Sequence, residues 1–320
     1  MVLDSLLILL GLAVLLVGGD LLVRGAVGLA TAMKIPPLLV SLTIIAFGTS
    51  APELVVSVTS VLEHEPGIAI GNIIGSNIAN VLLVLGLPAL VYPMSAHVPG
   101  LRRHGVAMLI ATAAFVAVAY GAGALDTTTG AALFAGIVAY VLFLGFMARS
   151  TRGRDPVIDE VAEYAEGAKG KMGATLIYIL AGLIGLPVGA HLLVASGSAL
   201  AGQLGVRPEF IGLTIVAFGT SLPELATVVA AAFHKKSDVA IGNVVGSNIF
   251  NIFAVGGAVG LAGTAPFTAA SLRLDIPVMI AAAIVLAAFI FFRRDIGRLT
   301  GFAFIASYVA FIAAIAGAFG

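Results

Sequence analysis

Shifted by 171 residues, the sequence falls on itself without a gap. "AFGTSAPE" at 46–53 meets "AFGTSLPE" at 217–224, identical at seven of eight positions. "AIGNIIGSNI" at 69–78 meets "AIGNVVGSNI" at 240–249, identical at eight of ten. "VGGDLLV" (17–23) falls on "VGAHLLV" (188–194), and Asn80 falls on Asn251. A constant register over more than sixty residues marks an internal duplication. Any fold for this chain must therefore use the same unit twice.

How the two copies are related depends on their surroundings. Sixty per cent of the residues are hydrophobic and only 10% are charged, where a soluble chain carries about 25% charged residues. The chain reads as an all-α polytopic membrane protein. Apolar stretches predict ten spans, near 3–32, 37–62, 68–93, 104–122, 129–148, 174–203, 209–233, 239–262, 276–292 and 298–318. Asp4 and the absence of a basic residue before the first apolar run argue for a span there rather than a cleaved signal peptide. The organisation expected is a five-helix repeat over 1–148, a polar loop over 149–173 and a second five-helix repeat over 174–320. Five is odd, so the second copy enters the membrane upside down, the inverted-topology arrangement of secondary transporters. Lys and Arg fall thirteen to two on the side that holds 149–173, with Arg207 and Arg273 opposite. That predicts a cytoplasmic loop and both termini outside. Net charge is zero, so nothing points to nucleic acid. The absence of cysteine excludes disulfides, thiolate metal sites and thiol catalysis.

The repeated octapeptide is polar where its surroundings are apolar. On a helix, Ala46, Thr49, Ser50 and Glu53 share one face. Pro52 lacks an N–H and collides with the carbonyl of Gly48, so the helix must kink and expose carbonyl oxygens. In lipid such oxygens are tolerated only where they line a cavity or find new partners. Ala217, Thr220, Ser221, Pro223 and Glu224 repeat the set. In the second motif, Ser76 and Asn80 lie on one face, matched by Ser247 and Asn251. Gly71 with Gly75, and Gly242 with Gly246, form small-residue stripes that let helices approach closely. If these helices meet, they make a cage of oxygens holding two carboxylates, with no sulfur and no imidazole. That inventory suits hard cations such as calcium, which takes 6–8 oxygen ligands, whereas soft metals favour Cys or His. Monovalent cations can share the same oxygens, and competition for one ligand set is the basis of antiport.

Each feature also has a plain structural reading. One Gly-Thr-Ser-X-Pro-Glu turn could be a kink with a stray acid. An intramembrane carboxylate costs about 2.5 kcal/mol or more, so two at matched positions, each followed by a second polar motif, point to function. Asp20 and Arg24 read as a simple i, i+4 pair, since His191 replaces Asp20 in the other half. His64, His97, His104 and His234 stand at span ends and read as solvated. Glu63, Glu65 and Asp238 read as loop charges, and "DEVAEYAE" as a solvated loop helix.

The paired motifs "GTSAPE…GNIIGSNIAN" and "GTSLPE…GNVVGSNIFN" resemble those of the calcium:cation antiporter superfamily, specifically its prokaryotic sodium/calcium exchanger branch. The resemblance covers essentially the whole chain. It implies a cluster of four cation sites at mid-membrane, one for calcium and the others for sodium. By carry-over, Thr49, Glu53, Thr220 and Glu224 would bind calcium. Sodium would use Ala46, Thr49, Ser50, Glu53, Ser76, Ala217, Thr220, Ser221, Glu224 and Ser247, with Asn80 and Asn251 near the centre. Potassium-dependent members of the superfamily carry Asp at the position of Asn251, so the resemblance implies potassium independence. The glutamate-bearing motif usual in proton-coupled relatives is absent.

The expectation is thus an electrogenic sodium/calcium antiporter in a prokaryotic cell membrane, with Na⁺ and Ca²⁺ as substrates, the bilayer as its surroundings and no cofactor. A calcium/proton or potassium-dependent exchanger is the rival of the same class. A cation channel is the rival of a different class, and inverted repeats with broken helices argue against it. An enzyme is not expected: there is no His-Glu-x-x-His pair, no thiol and no Ser/His constellation at matched depth.

Overall fold

A computed structural model describes residues 2–33, 37–150, 172–203 and 217–318. Its regular secondary structure is helical apart from two-residue strands β1 (Ala124–Leu125) and β2 (Ala265–Pro266). The first half contains α1 (Val2–Met33), α2 (Ala51–Leu62), α3 (Pro66–Ala79), α4 (Gly86–Val91), α5 (Leu101–Ala117) and α6 (Thr127–Ser150). The second half contains α7 (Met172–Gln203), α8 (Leu222–Phe233), α9 (Ser237–Phe250), α10 (Gly256–Ala262), α11 (Ile276–Phe291) and α12 (Arg298–Ala318). One-turn α segments, Ala46–Thr49 and Ala217–Thr220, lead into α2 and α8.

Eight of the described helices are long and apolar enough to cross a membrane, and the bent pair Leu38–Thr49 with Ala51–Leu62 adds a ninth. The expected span at 209–233 is described only from Ala217 onward. The expected loop at 149–173 lies almost entirely outside the described residues, as do Lys34 and Arg207. Helix α1, with 32 residues, is about 48 Å long, so it must tilt in a hydrocarbon core of about 30 Å. Its outward face carries exposed Leu3, Leu6, Leu9 and Leu16, as a lipid-facing helix requires.

The duplication governs the architecture. Helices α2 and α8 have 12 residues each and α3 and α9 have 14 each, and their boundaries sit at the same offset as the sequence repeat. Both α3 and α9 run into a π-helical turn, Asn80–Val84 and Asn251–Val255. A backbone bridge joins Leu125 to Ala265, and another joins Met94 to Ile296. The offset maps one bridge onto the other with partners exchanged. The two bridges lie at opposite ends of α5, since Met94 precedes that helix and Leu125 follows it. A twofold axis lying across the helices performs that exchange, which is the inverted relation the odd span count predicted.

The spans built on the second motif form the centre. In Pro66–Val91 and Ser237–Ala262 the most apolar windows are 78% and 83% buried, against 33% for α1. Close packing here depends on glycine. A Cβ on Gly246 would lie 2.7 Å from the Ala46 Cβ and 3.1 Å from the Leu42 Cα. Helix α9 therefore rests directly on the turn that opens the first octapeptide, as the glycine stripe predicted for this half.

Several expectations about peripheral residues are corrected. His104 is fully buried, not solvated. Helix α5 starts at Leu101, three residues before the predicted boundary, so Arg102 and Arg103 occupy the helix end and His104 turns inward. There its Nδ1 lies 3.2 Å from the Tyr140 hydroxyl on α6. His234 is not simply solvated either: its Nε2 meets Asp20 Oδ1 at 2.5 Å, while Arg24 Nε meets Asp20 Oδ2 at 2.7 Å. Asp20 thus ties α1 to the C-terminal end of α8 and is more than an i, i+4 pair. Asp238 sits half-buried in the first turn of α9, where its carboxylate accepts the Val239 amide.

Candidate cation-binding site

The site grows out of two broken helices. At Ser50 the backbone departs from helical geometry (φ −84°, ψ 4°), and the flanking helices meet at 41°. Pro52 sits in the first turn of α2, where its missing N–H leaves no bond unmade. The break the sequence predicted is thus a clean restart of the helix rather than a kink within it. Ser221 and Pro223 do the same for α8. Each restart places a glutamate, Glu53 or Glu224, in the first turn, where the helix dipole favours negative charge.

Ser50 and Ser221 occupy N-cap positions, yet neither makes a capping bond to its own helix. Forgoing such a cap costs about 1 kcal/mol. Instead, the Ser50 hydroxyl donates to Glu224 Oε1 of the other half at 3.1 Å, and Ser247 donates to the same oxygen at 3.5 Å. The two octapeptides therefore meet. Glu53 and Glu224 are 1% and 0% exposed and lie within electrostatic reach of one another.

Nine buried side-chain polar atoms among the described residues have no partner, and eight of them belong to the two repeated motifs. The oxygens are Glu53 Oε2, Glu224 Oε2, Ser76 Oγ, Ser221 Oγ, Asn80 Oδ1 and Asn251 Oδ1. An unpartnered buried polar atom costs roughly 1–3 kcal/mol, so six such oxygens, four of them from the mated pairs Glu53/Glu224 and Asn80/Asn251, make this a candidate site for a ligand. None of the described Lys or Arg side chains is buried, so among the described residues no Lys or Arg balances the two carboxylates from within the core. Among the described residues there is also no cluster of three His, Cys, Asp or Glu side chains. Hydroxyl, amide and carbonyl oxygens must complete any coordination shell, which selects for hard cations.

The remaining expected residues join the same centre. Thr49 is fully buried; its hydroxyl lies 3.4 Å from the Ala46 carbonyl and 3.5 Å from Asn243 Oδ1. Thr220 donates to Asn72 Oδ1 at 3.3 Å. The Ala46 carbonyl is not bare, since it accepts the Ser50 amide at 3.0 Å; a cation there would use its second lone pair. Ala217 opens the equivalent turn of the second half. Asn80 donates to Asn248 Oδ1 at 3.0 Å, whereas neither amide atom of Asn251 has a partner. The duplicated centre is therefore lopsided in detail.

Sequence reasoning passed over Asn72 and Asn243. Each accepts a threonine hydroxyl from the opposite half, at 3.3 and 3.5 Å, and the two contacts are twofold mates. Asn72 also donates to the Glu53 carbonyl at 3.3 Å and to Ser57 Oγ at 2.9 Å. A threonine that donates its proton to an amide oxygen turns its own lone pairs elsewhere, which is what a cation ligand needs. The signal was available: both asparagines stand in the duplicated "GN" step of "AIGN".

The sodium/calcium exchanger protein family profile matches residues 4–152 and 174–317. The chain belongs to that family. The break between the two matched stretches falls in the polar stretch 149–173 of the sequence. This exchanger is 32% identical to the sodium/calcium exchanger MaX1 of Methanosarcina acetivorans, with 97% of each chain covered. It is 36% identical to the inner membrane protein YrbG of Escherichia coli, covering 80% of this chain and 78% of that one. Its fold superposes on the sodium-calcium exchanger NCX_Mj, soaked with Na⁺ and Sr²⁺, with a TM-score of 0.84 at 30% identity and 98% coverage of both chains. The exchanger is an integral membrane protein, a cation transporter by family rather than an enzyme.

Proposed function

We propose that this exchanger moves Ca²⁺ against Na⁺ by alternating access, with one calcium or several sodium ions held in turn by the cage around Glu53 and Glu224. The observation that carries the reading is the pair of buried carboxylates, one from each repeat, together with unpartnered hydroxyl and amide oxygens of the same motifs, with no Lys or Arg buried among the described residues to balance them. One Ca²⁺ neutralises the pair. Three Na⁺ leave a net +1, so a three-for-one exchange is electrogenic.

In this reading Glu53, Glu224, Thr49 and Thr220 ligate calcium. Ser50, Ser76, Ser221, Ser247 and the carbonyls of Ala46 and Ala217 complete the sodium sites, with Asn80 and Asn251 at the centre. An amide at 251 rather than a carboxylate supports independence from potassium. No cofactor is needed, because the sodium gradient supplies the driving force. The charge bias of the loops supports an orientation with both termini outside a prokaryotic cell membrane and 149–173 as the cytoplasmic connector between repeats 1–148 and 174–320.

The deciding experiment is ⁴⁵Ca²⁺ uptake into proteoliposomes loaded with sodium, potassium or acidic buffer. Uptake is expected only with internal sodium. Equal uptake driven by a proton gradient without sodium would replace this reading with calcium/proton exchange.

A further inference from the structure

A second charged feature, made of residues outside the cage, lies at one end of the α5–α11 pair. Helix α5 begins at Leu101 where α11 ends at Phe291, so both span ends share one membrane face. Between them is a cavity of about 280 Å³ whose lining includes Arg102, Arg103 and Arg293 together with the apolar Val98 and Ile290. Arg102 donates to the Phe291 carbonyl at 2.7 Å, which fixes its guanidinium at the rim. Among the described residues, Arg103 and Arg293 have no side-chain hydrogen bond or ion pair. Arg294 follows in the next pocket with His97, Phe292 and Asp295. The acids nearby are otherwise engaged: Asp295 meets His97 at 3.2 Å, and Asp238 accepts the Val239 amide at 2.9 Å.

Arg293 follows α11 in the left-handed region, φ 51°, as His64 and Lys235 do after α2 and α8. What sets the cluster apart is its absence from the other end of the twofold. The repeat positions of Arg102, Arg103 and Arg293 are Arg273, Leu274 and Ala122, so duplication alone does not account for three arginines here.

We propose that this cavity binds the phosphodiester headgroup of an anionic phospholipid. The guanidiniums take the phosphate, as basic pockets between transmembrane helices do. The Val98 and Ile290 floor takes the glycerol backbone, and exposed Phe292, 75% accessible, lies beside the acyl chains at the interface. A free anion would have no use for the apolar floor or for a mouth level with the span ends.

The test is native mass spectrometry of the full chain in detergent, titrated with phosphatidylglycerol or with phosphatidylcholine of identical acyl chains. Phosphatidylglycerol is expected to bind preferentially, and Arg103→Gln with Arg293→Gln together to weaken it about thirtyfold. Should the double variant fail to fold, the exposed single change Arg293→Gln carries the test with about fivefold weakening. Arg273→Gln, at the twofold mate of Arg102, is expected to bind like wild type. Equal binding of the two lipids, unchanged affinity in the Arg103 and Arg293 variants, or an equal loss in Arg273→Gln would overturn the proposal. Displacement of the lipid by an equal concentration of glycerol phosphate would also overturn it, since the site would then be one for soluble anions.

Discussion

Glu53 and Glu224 are buried carboxylates, and the hydroxyls of Ser50 and Ser247 donate to Glu224. Replacing either with Gln removes half the charge that a divalent cation must meet while keeping the shape. Glu53→Gln and Glu224→Gln should each abolish calcium uptake yet leave the ion-free protein as stable as wild type or more so, because a buried like-charge pair is relieved. Thermal unfolding with and without calcium checks this: the calcium-dependent rise should vanish in both variants. A variant that retained that rise would remove its glutamate from the site. Asn72 belongs at the same scale. Asn72→Leu deletes its bonds to Thr220, Ser57 and the Glu53 carbonyl, each worth about 1 kcal/mol. If Asn72 positions the threonine and does not itself ligate, the half-saturating calcium concentration should rise about tenfold or more while maximal uptake changes little. Uptake measured across a calcium titration separates those two quantities.

Among the elements, the broken helices and the glycine seam govern the geometry. The restart at Ser50 needs Pro52 less for its ring than for its lack of a donor, since any other residue there could extend the preceding helix through an amide bond. The seam between α9 and the 41–46 turn is more demanding. A methyl at Gly246 would lie 2.7 Å from the Ala46 Cβ and against backbone at 3.1 and 3.2 Å, so something must move. Gly246→Ala should cost about 1–3 kcal/mol and lower calcium uptake by displacing Ala46 from the cage. Gly71→Ala, whose Cβ meets no described atom within 4 Å, is the comparison. Melting temperatures and uptake of the two variants side by side check the difference, and equal behaviour would count against the close contact.

At the scale of the whole molecule the question is charge movement. A site holding −2 is neutral with one calcium and +1 with three sodium ions, so a three-for-one cycle carries one net charge. A membrane potential then contributes about 2.3 kcal/mol per 100 mV. In sodium-loaded vesicles, three charges leave as two enter, so an interior-positive potential should favour calcium uptake. The condition at which net flux reverses should shift with a potential set by potassium and an ionophore. A reversal condition that ignores the potential would mean electroneutral two-for-one exchange.

Much of this organisation was legible in the linear chain. Hydrophobic run lengths depend only on bilayer thickness, and the repeat register depends only on residue identity, so the spans, the duplication and the inversion from an odd span count could be read directly. The candidate cage residues stood out for a related reason: a carboxylate in an apolar run is costly, so finding it twice demanded an explanation. Contacts across the repeats were not legible, because a sequence does not say which polar side chains will face one another. The Thr49–Asn243 and Thr220–Asn72 contacts, the diversion of Ser50 from its own helix to Glu224, and the ties from Asp20 to His234 and from His104 to Tyr140 arise only when distant segments pack. Composition and spacing by themselves determined a membrane-embedded, twofold-repeated oxygen cage. Only tertiary packing decided which of those atoms are satisfied and which are left without a partner, because satisfaction is a property of pairs and not of positions.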